Sequence, residues 1–174
     1  MPNHEFILET PRLLLRKKVV EDAPFFFELN SDSLVIKYTG DMGFKNLEAS
    51  EAIVRYVIGQ YNTNGYGRWM VSEKESASTV GWCGLKYHPE SGETDLGYRF
   101  MQKYWGKGYA TEASKACLDY GFTVLKLDRI IGRAMKENTA SIRVLKKIGM
   151  SWCDEIDLHE HPAVVYELKK ENHP

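Results

Sequence analysis

A chain of 174 residues, 43% of them hydrophobic, is long enough to bury a core and short enough to be a single domain. Lys+Arg 23 against Asp+Glu 24 leaves a net charge of −1, which excludes the global basic field of a nucleic-acid-binding protein. No apolar run approaches the roughly 20 residues of a membrane helix.

The remaining composition places the chain in a reducing, cytoplasmic compartment. Met1 to Glu9 lacks the basic start and long apolar stretch of a signal peptide. Cys83, Cys117 and Cys153 have no metal-ligand spacing and an odd count, so they read as free thiols in apolar runs. With no repeat or linker, and only Glu171 to Pro174 reading as a loose tail, one domain covers residues 1–174 with its core at about 8–170.

Leu13, Leu14 and Leu15, between Arg12 and Arg16, predict a short first strand. Asp22 with Pro24 predicts the capped start of a helix carrying Phe26, Phe27 and Leu29. Ser31 to Lys45 reads as a turn-rich segment. A second helix is predicted from about Leu47 to Tyr61, apolar at Ala49, Ile53, Tyr56, Val57 and Tyr61. Asn62 to Gly67 breaks it. Three strands follow, over Arg68 to Ser72, Thr79 to Tyr87 and Glu93 to Gln102, linked by hairpin-length turns. Gly81 and Gly84 mark bulges or a close approach within the second.

Trp105-Gly106-Lys107-Gly108-Tyr109-Ala110-Thr111-Glu112-Ala113 then opens a long helical pattern with Ala110, Ala113, Ala116, Cys117, Tyr120 and Val124 on one face. Gly121 inside that helix implies close packing. Two glycines before a helix start leave free N–H groups at the positive end of a dipole, a site for pyrophosphate flanked by Lys103 and Lys107. A purely structural turn is the competing reading. Neither the nucleotide-hydrolase loop nor the dinucleotide fingerprint fits the glycine spacing. Leu127 to Met135 predicts a strand parallel to the one before the loop. Asn138 caps a last helix with Ile142, Leu145 and Ile148 inward and Gly149 at its end. Ser151 to Asp157 and Ala163 to Lys169 read as a hairpin. Periodicity alone thus implies a mixed α/β domain.

The loop resembles the acetyl-coenzyme A loop of the GNAT acetyltransferases, Arg/Gln-x-x-Gly-x-Gly/Ala, mapped onto Trp105, Gly108 and Ala110. Trp at the first position departs from the general pattern and is similar to the RimJ/RimL-type branch. The opening Leu8-Glu9-Thr10-Pro11-Arg12-Leu13-Leu14-Leu15-Arg16, followed by Glu21-Asp22-Ala23, resembles the same branch. The resemblance implies the GNAT acyl-coenzyme A N-acyltransferase fold, a mostly antiparallel sheet with one splayed parallel pair, here Asp95–Gln102 and Leu127–Met135.

It also implies acetyl-coenzyme A as cosubstrate, a primary amine as acceptor, direct transfer with no covalent acyl-enzyme, and a possible homodimer. No nucleic acid, membrane or metal is expected. The cofactor-binding residues implied are Tyr98, Phe100, Trp105, Gly106, Lys107, Gly108, Tyr109, Ala110, Thr111, Asn138 and Ser141, with backbone groups near Tyr98, Arg99 and Phe100 polarising the thioester. A lysine-like amine ionises near about 10.4 and an α-amine near about 8, so a base helps. Asp95 is the expected base, with Glu93, on the same strand face, as second choice and a bridging water as intermediary. The acid common in the family, a Tyr seven residues after Asn138, is absent because Leu145 stands there. Ser141 takes its place, either as acid or as a group that orients the thioester.

The other expectations are plainer. Trp69, Trp82 and Trp152 are expected in the core, with Tyr66 and Trp69 as candidates for a substrate cleft. His88 reads as a turn residue, and His159-Glu160-His161 as a polar turn rather than a metal site. Asp32, Asp41, Glu90 and Glu160 are candidates for drawing in a cationic amine. A non-catalytic acyl-coenzyme A-binding module is the alternative function.

Overall fold

The first described strand is one that the sequence does not signal. In the computed structural model, which describes residues 5–174, β1 (Phe6–Glu9) pairs antiparallel with β2 (Leu13–Arg16). Leu13 and Leu15 point into the core and are fully buried. Asp22 does not cap the first helix. Its carboxylate instead takes the Arg16 guanidinium at 2.6 and 2.8 Å and the backbone N–H of Val19 at 2.9 Å. A buried cation without a partner costs more than an uncapped helix end, so the ion pair wins.

Helix α1 (Ala23–Ser31) follows, with Pro24 in its first turn. The turn-rich segment holds one further helical turn, α2 (Ser33–Ile36), capped by Asp32, whose carboxylate accepts from Leu34 N–H at 2.9 Å. α3 (Leu47–Asn64) runs past the predicted end at Tyr61, because the first residue to adopt left-handed geometry is Gly65 (φ 78°). Its buried face is Val54, Val57 and Tyr61, while Ile53 and Tyr56 are exposed.

β3 (Arg68–Glu73), β4 (Thr79–His88) and β5 (Glu93–Phe100) form the predicted antiparallel meander. A Cβ on Gly81 would lie 2.2 Å from the Arg99 carbonyl, so glycine there permits close approach of neighbouring backbone. β5 stops at Phe100, and a short 3-10 turn over Gln102–Tyr104 leads to the glycine loop. α4 (Tyr109–Thr123) buries Ala113, Cys117, Leu118 and Phe122, whereas Val124, expected inward, is exposed past the helix end. A Cβ on Gly121 would meet Ile130 at 2.6 Å, as close helix–sheet packing requires.

β6 (Arg129–Met135), α5 (Thr139–Lys147), β7 (Ser151–Leu158) and β8 (His161–Lys169) complete the chain. His159 and Glu160 form the left-handed turn between β7 and β8. All eight strands make one mixed α/β sheet in the order β1-β2-β3-β4-β5-β6-β8-β7. Among the described residues only β5 and β6 run parallel, so the sheet is mostly antiparallel as expected. β8 inserts between β6 and β7, pairing antiparallel with each. Trp69 and Trp82 are buried, but Trp152, on the edge strand β7, is 57% exposed rather than in the core.

Strand alternation sends Trp69, Val71, Cys83 and Leu85 into a larger core shared with α4 and α5. Met70 and Trp82 go to the opposite face, into a smaller core with Phe26, Leu29 and Val54. Among the described residues, no helix is long and apolar enough to cross a membrane.

Candidate active site

The β5–β6 ladder registers a single residue pair, Asp95 opposite Ile131. Beyond it β5 has no registered partner on its β6 side, while Tyr98, Arg99 and Phe100 stay paired with Cys83, Trp82 and Gly81 of β4. A cleft of about 610 Å³ begins there and runs to the glycine loop. Its walls include Tyr98, Arg99, Phe100, Trp105, Gly106, Gly108, Tyr109, Ala110 and Thr111 on one side, and Asn138 and Ser141 from the start of α5 on the other. The structure therefore gathers every expected cofactor residue around one cavity except Lys107.

Gly106 (φ 77°) and Gly108 (φ 80°) are both left-handed, a backbone state costing roughly 1–2 kcal/mol for residues with a Cβ. They turn the chain so that α4 starts at Tyr109 with its unpaired N–H groups at the cleft. Four contacts hold this turn. Trp105 Nε1 donates to the Phe100 carbonyl at 2.8 Å, fastening the loop to the strand it leaves. Arg12 Nη1 donates to the Lys107 carbonyl at 2.9 Å. Tyr109 OH donates to Glu73, and the Arg12 guanidinium lies 4.7 Å from the Tyr109 ring.

Glu112 is the hub behind them. It accepts from Thr10 Oγ1 at 2.6 Å, Arg12 N–H at 3.0 Å and Arg12 Nε at 2.7 Å. Burial raises its carboxyl, but these bonds and the Arg12 charge outweigh that and hold it below the usual range. The Thr10–Arg12 motif and the glycine-loop motif, about 100 residues apart, are thus one physical unit.

Two lysines expected to supply charge do not reach the cleft wall. Lys107 Nζ sits 5.0 Å from the Tyr104 ring and 4.0 Å from Glu73, and Lys103 Nζ 5.3 Å from the Tyr104 ring. Arg143 and Lys147 of α5 line the wall instead. Their spacing of four, which puts them on one helix face, was the available signal.

Asn138 caps α5 through its side-chain oxygen, which accepts from Ser141 N–H at 3.1 Å. Ser141 Oγ lies 2.8 Å from the Tyr98 hydroxyl, a side-chain pairing that spacing alone did not reveal. Burial pushes Tyr98 up to about 12, more than its bond to Ser141 offsets, so its hydroxyl keeps its proton.

Asp95 lies on the other face of β5, outside the cleft wall. Arg68 Nη2 donates to it at 3.1 Å, His88 Nε2 lies at 3.2 Å and Arg133 Nη1 at 3.8 Å. Burial pushes the carboxyl up, but Arg68, His88 and Arg133 prevail and hold it at about 2. A carboxylate so far from neutrality takes up a proton poorly. Glu93 is likewise engaged, by Arg129 at 3.0 Å and Arg133 at 2.7 Å. His88 ends β4 with its ring between Glu90 and Asp95, so it is a strand residue and not a turn residue. Tyr66 and Trp69 are both buried, and neither lines the cleft. The Tyr66 hydroxyl bonds Thr94 at 2.7 Å. Among the described residues, no group of three His, Cys, Asp or Glu is placed to hold a metal ion.

Comparison with known proteins adds the chemistry. A family profile described as an acetyltransferase (GNAT) domain matches residues 12–151. The chain is 35% identical over 170 residues to the uncharacterized protein YkkB of Bacillus subtilis (strain 168), covering 95% of this chain and 96% of that one. It is 45% identical over 148 residues to the spermidine N(1)-acetyltransferase of Escherichia coli (strain K12), covering 84% and 76%. Among solved structures, a GNAT-family acetyltransferase from Bacillus anthracis superposes with a TM-score of 0.82 at 32% identity, over 95% of this chain and 99% of the other.

Proposed function

The chain belongs to the GNAT acetyltransferase family and is an N-acetyltransferase, and within that family we propose that it moves an acetyl group from acetyl-coenzyme A directly to a primary amine in a complex of both substrates. Relatives named as N-acetyltransferases set aside the non-catalytic binding module. The observation that carries the reading is the continuity of the cleft. One cavity joins the splayed end of β5 to two left-handed glycines at the start of α4. The joint use of Thr10, Arg12 and Glu112 supports placement in the RimJ/RimL-type branch.

The residues present fit the coenzyme. Backbone N–H groups from Gly106 to Thr111 suit its pyrophosphate, with Arg143 and Lys147 adding positive charge. When bound, it supplies an activated acetyl thioester. The free edge of Tyr98 to Phe100 suits the carbonyl oxygen as charge develops there. Phe100 gives its own carbonyl to Trp105, which leaves N–H groups as the useful donors.

In the transfer, the amine nitrogen bonds to the acetyl carbon as the carbon–sulfur bond breaks. One amine proton departs, and the sulfur gains one. We assign the Tyr98 hydroxyl, held protonated and 2.8 Å from Ser141 Oγ, as the donor of that pair, so that the serine hydrogen bonds the departing sulfur while the sulfur's proton comes from the amine through water. With Asp95 at about 2, we assign proton removal to a water rather than to the carboxylate itself. Asp95 then serves to fix Arg68 in place.

The test is calorimetry with acetyl-coenzyme A, alongside thiol release over a panel of amines. Wild type binds and turns over. Gly108→Trp, which fills the cleft at the loop, abolishes binding while the circular dichroism spectrum is retained. Unchanged affinity in that variant defeats the loop assignment.

A further inference from the structure

Resting on the transferase reading above, we propose that Arg143, with Lys147 beside it, holds the ribose 3′-phosphate of the coenzyme and makes the enzyme discriminate against donors that lack it. Arg143 is set apart from the other arginines. Of the eight in the chain, seven lie against a carboxylate, and Arg143 has none among the described residues. Both Arg143 and Lys147 line the cleft, and both are exposed enough for a ligand to meet them.

Their place on α5 points to the nucleotide half of the ligand. Ala140, Ser141, Arg143, Val144 and Lys147 all line the cleft, so the helix lies along it. Ser141 marks the acyl end through its contact with Tyr98. At 1.5 Å of rise per residue, Arg143 and Lys147 stand about 3 and 9 Å farther along the axis. Residues four apart have Cβ atoms about 6 Å from each other, so both cations can reach one phosphate. The helix dipole favours Lys146 and Lys147 in the last turn, but Arg143 is mid-helix and gains little from it.

The charges are divided between the two walls. The glycine loop meets the diphosphate with main-chain N–H groups at the start of α4. The cations nearest that loop are turned elsewhere, Lys107 to Tyr104 and Glu73, and Lys103 to Tyr104. The uncommitted pair stands across the cleft on α5. Among the described residues no carboxylate lines the cleft, so nothing within it neutralises them. Coenzyme A carries three phosphate groups, and the one on the ribose 3′ position is left over once the loop holds the other two. A phosphate monoester is close to a dianion at neutral pH. A guanidinium grips it with two parallel N–H donors, and an ammonium adds a point charge.

The experiment compares coenzyme A with 3′-dephospho-coenzyme A by calorimetry, on wild type, Arg143→Ala, Lys147→Ala and Lys146→Ala. Wild type should prefer coenzyme A by about tenfold or more, the range of charge-assisted hydrogen bonds. Arg143→Ala should remove most of that preference by weakening coenzyme A, with affinity for the dephospho form as in wild type. Lys147→Ala should remove less of it. Lys146→Ala, whose side chain is outside the cleft lining, should remove none. KM for the two acetylated donors should follow the same pattern with any amine that the enzyme accepts. Equal affinities in wild type overturn the proposal. So does an equal loss for both coenzymes in Arg143→Ala, which puts the guanidinium on the diphosphate. An effect of Lys146→Ala as large as that of Arg143→Ala overturns it too, since general charge then suffices. Failure of both coenzymes to bind defeats the coenzyme site, and this proposal with it. The expected selectivity without acetylation of any amine defeats the transferase reading alone.

Discussion

Replacing Lys18 with Met should stabilise the protein, and more so in acid than in base. The side chain is 3% exposed, with Nζ 3.3 Å from the thioether of Met70. Burial lowers its pKa from 10.5 to about 7, with Arg68, Arg16 and Arg99 adding to the shift and only Asp22 opposing it. Between those two values the unfolded chain holds a proton that the folded one does not, so stability rises with pH across the window. Below about 7 the folded protein carries the buried charge at full cost. A shift of roughly 3.5 units at 1.36 kcal/mol each sets that cost near 5 kcal/mol, an upper bound given local relaxation. At pH 9 the same linkage leaves roughly 2 kcal/mol, and at pH 6 nearly all of it. Urea denaturation of both proteins at pH 6, 7.5 and 9 should therefore show the advantage of Lys18→Met growing by roughly 2–3 kcal/mol from pH 9 to pH 6. A difference that is flat with pH, or that grows toward base, refutes the reasoning.

Three further outcomes are expected. Glu112→Gln keeps the shape but sets an amide against Arg12, so the glycine loop should lose its brace. KM for acetyl-coenzyme A should rise about tenfold with kcat little changed, at a stability cost of about 1–3 kcal/mol, and an unaltered KM and melting temperature count against the brace. Ser141→Ala should lower kcat by roughly 10²-fold, and Tyr98→Phe by less. The double variant should be little worse than Ser141→Ala alone, since the two hydroxyls act as one unit, and independent effects in the double-mutant cycle deny that coupling. Asp95→Asn should be destabilising, because it leaves Arg68 and Arg133 without their buried anion. Wild type should lose this contribution as pH falls from 3.8 through about 2, a loss absent from the variant in acid titrations followed by circular dichroism.

Local chemistry was legible from the chain alone. Glycine pairs, cap residues and the alternation of Thr79 to Phe100 marked the meander, the loop and the two helices that follow it, because turns and caps depend on a few adjacent residues. Strand β1 escaped notice because four residues ending at a Thr-Pro turn carry too little periodicity. The inward faces of α3 and α4 were misjudged at Tyr56 and Val124 because apolar residues also populate exposed surface.

The sequence by itself determined the element types, the glycine turn and the family motifs. Only the tertiary structure decided what the site residues face. It joined Thr10 and Arg12 to Glu112, set Tyr98 against Ser141, and drew Arg68, His88 and Arg133 around Asp95. Apart from His88, which reaches Asp95 across the β4–β5 hairpin, those partners lie far apart along the chain. Whether a carboxylate accepts a proton or anchors a guanidinium depends on the charges that folding brings within a few ångströms of it.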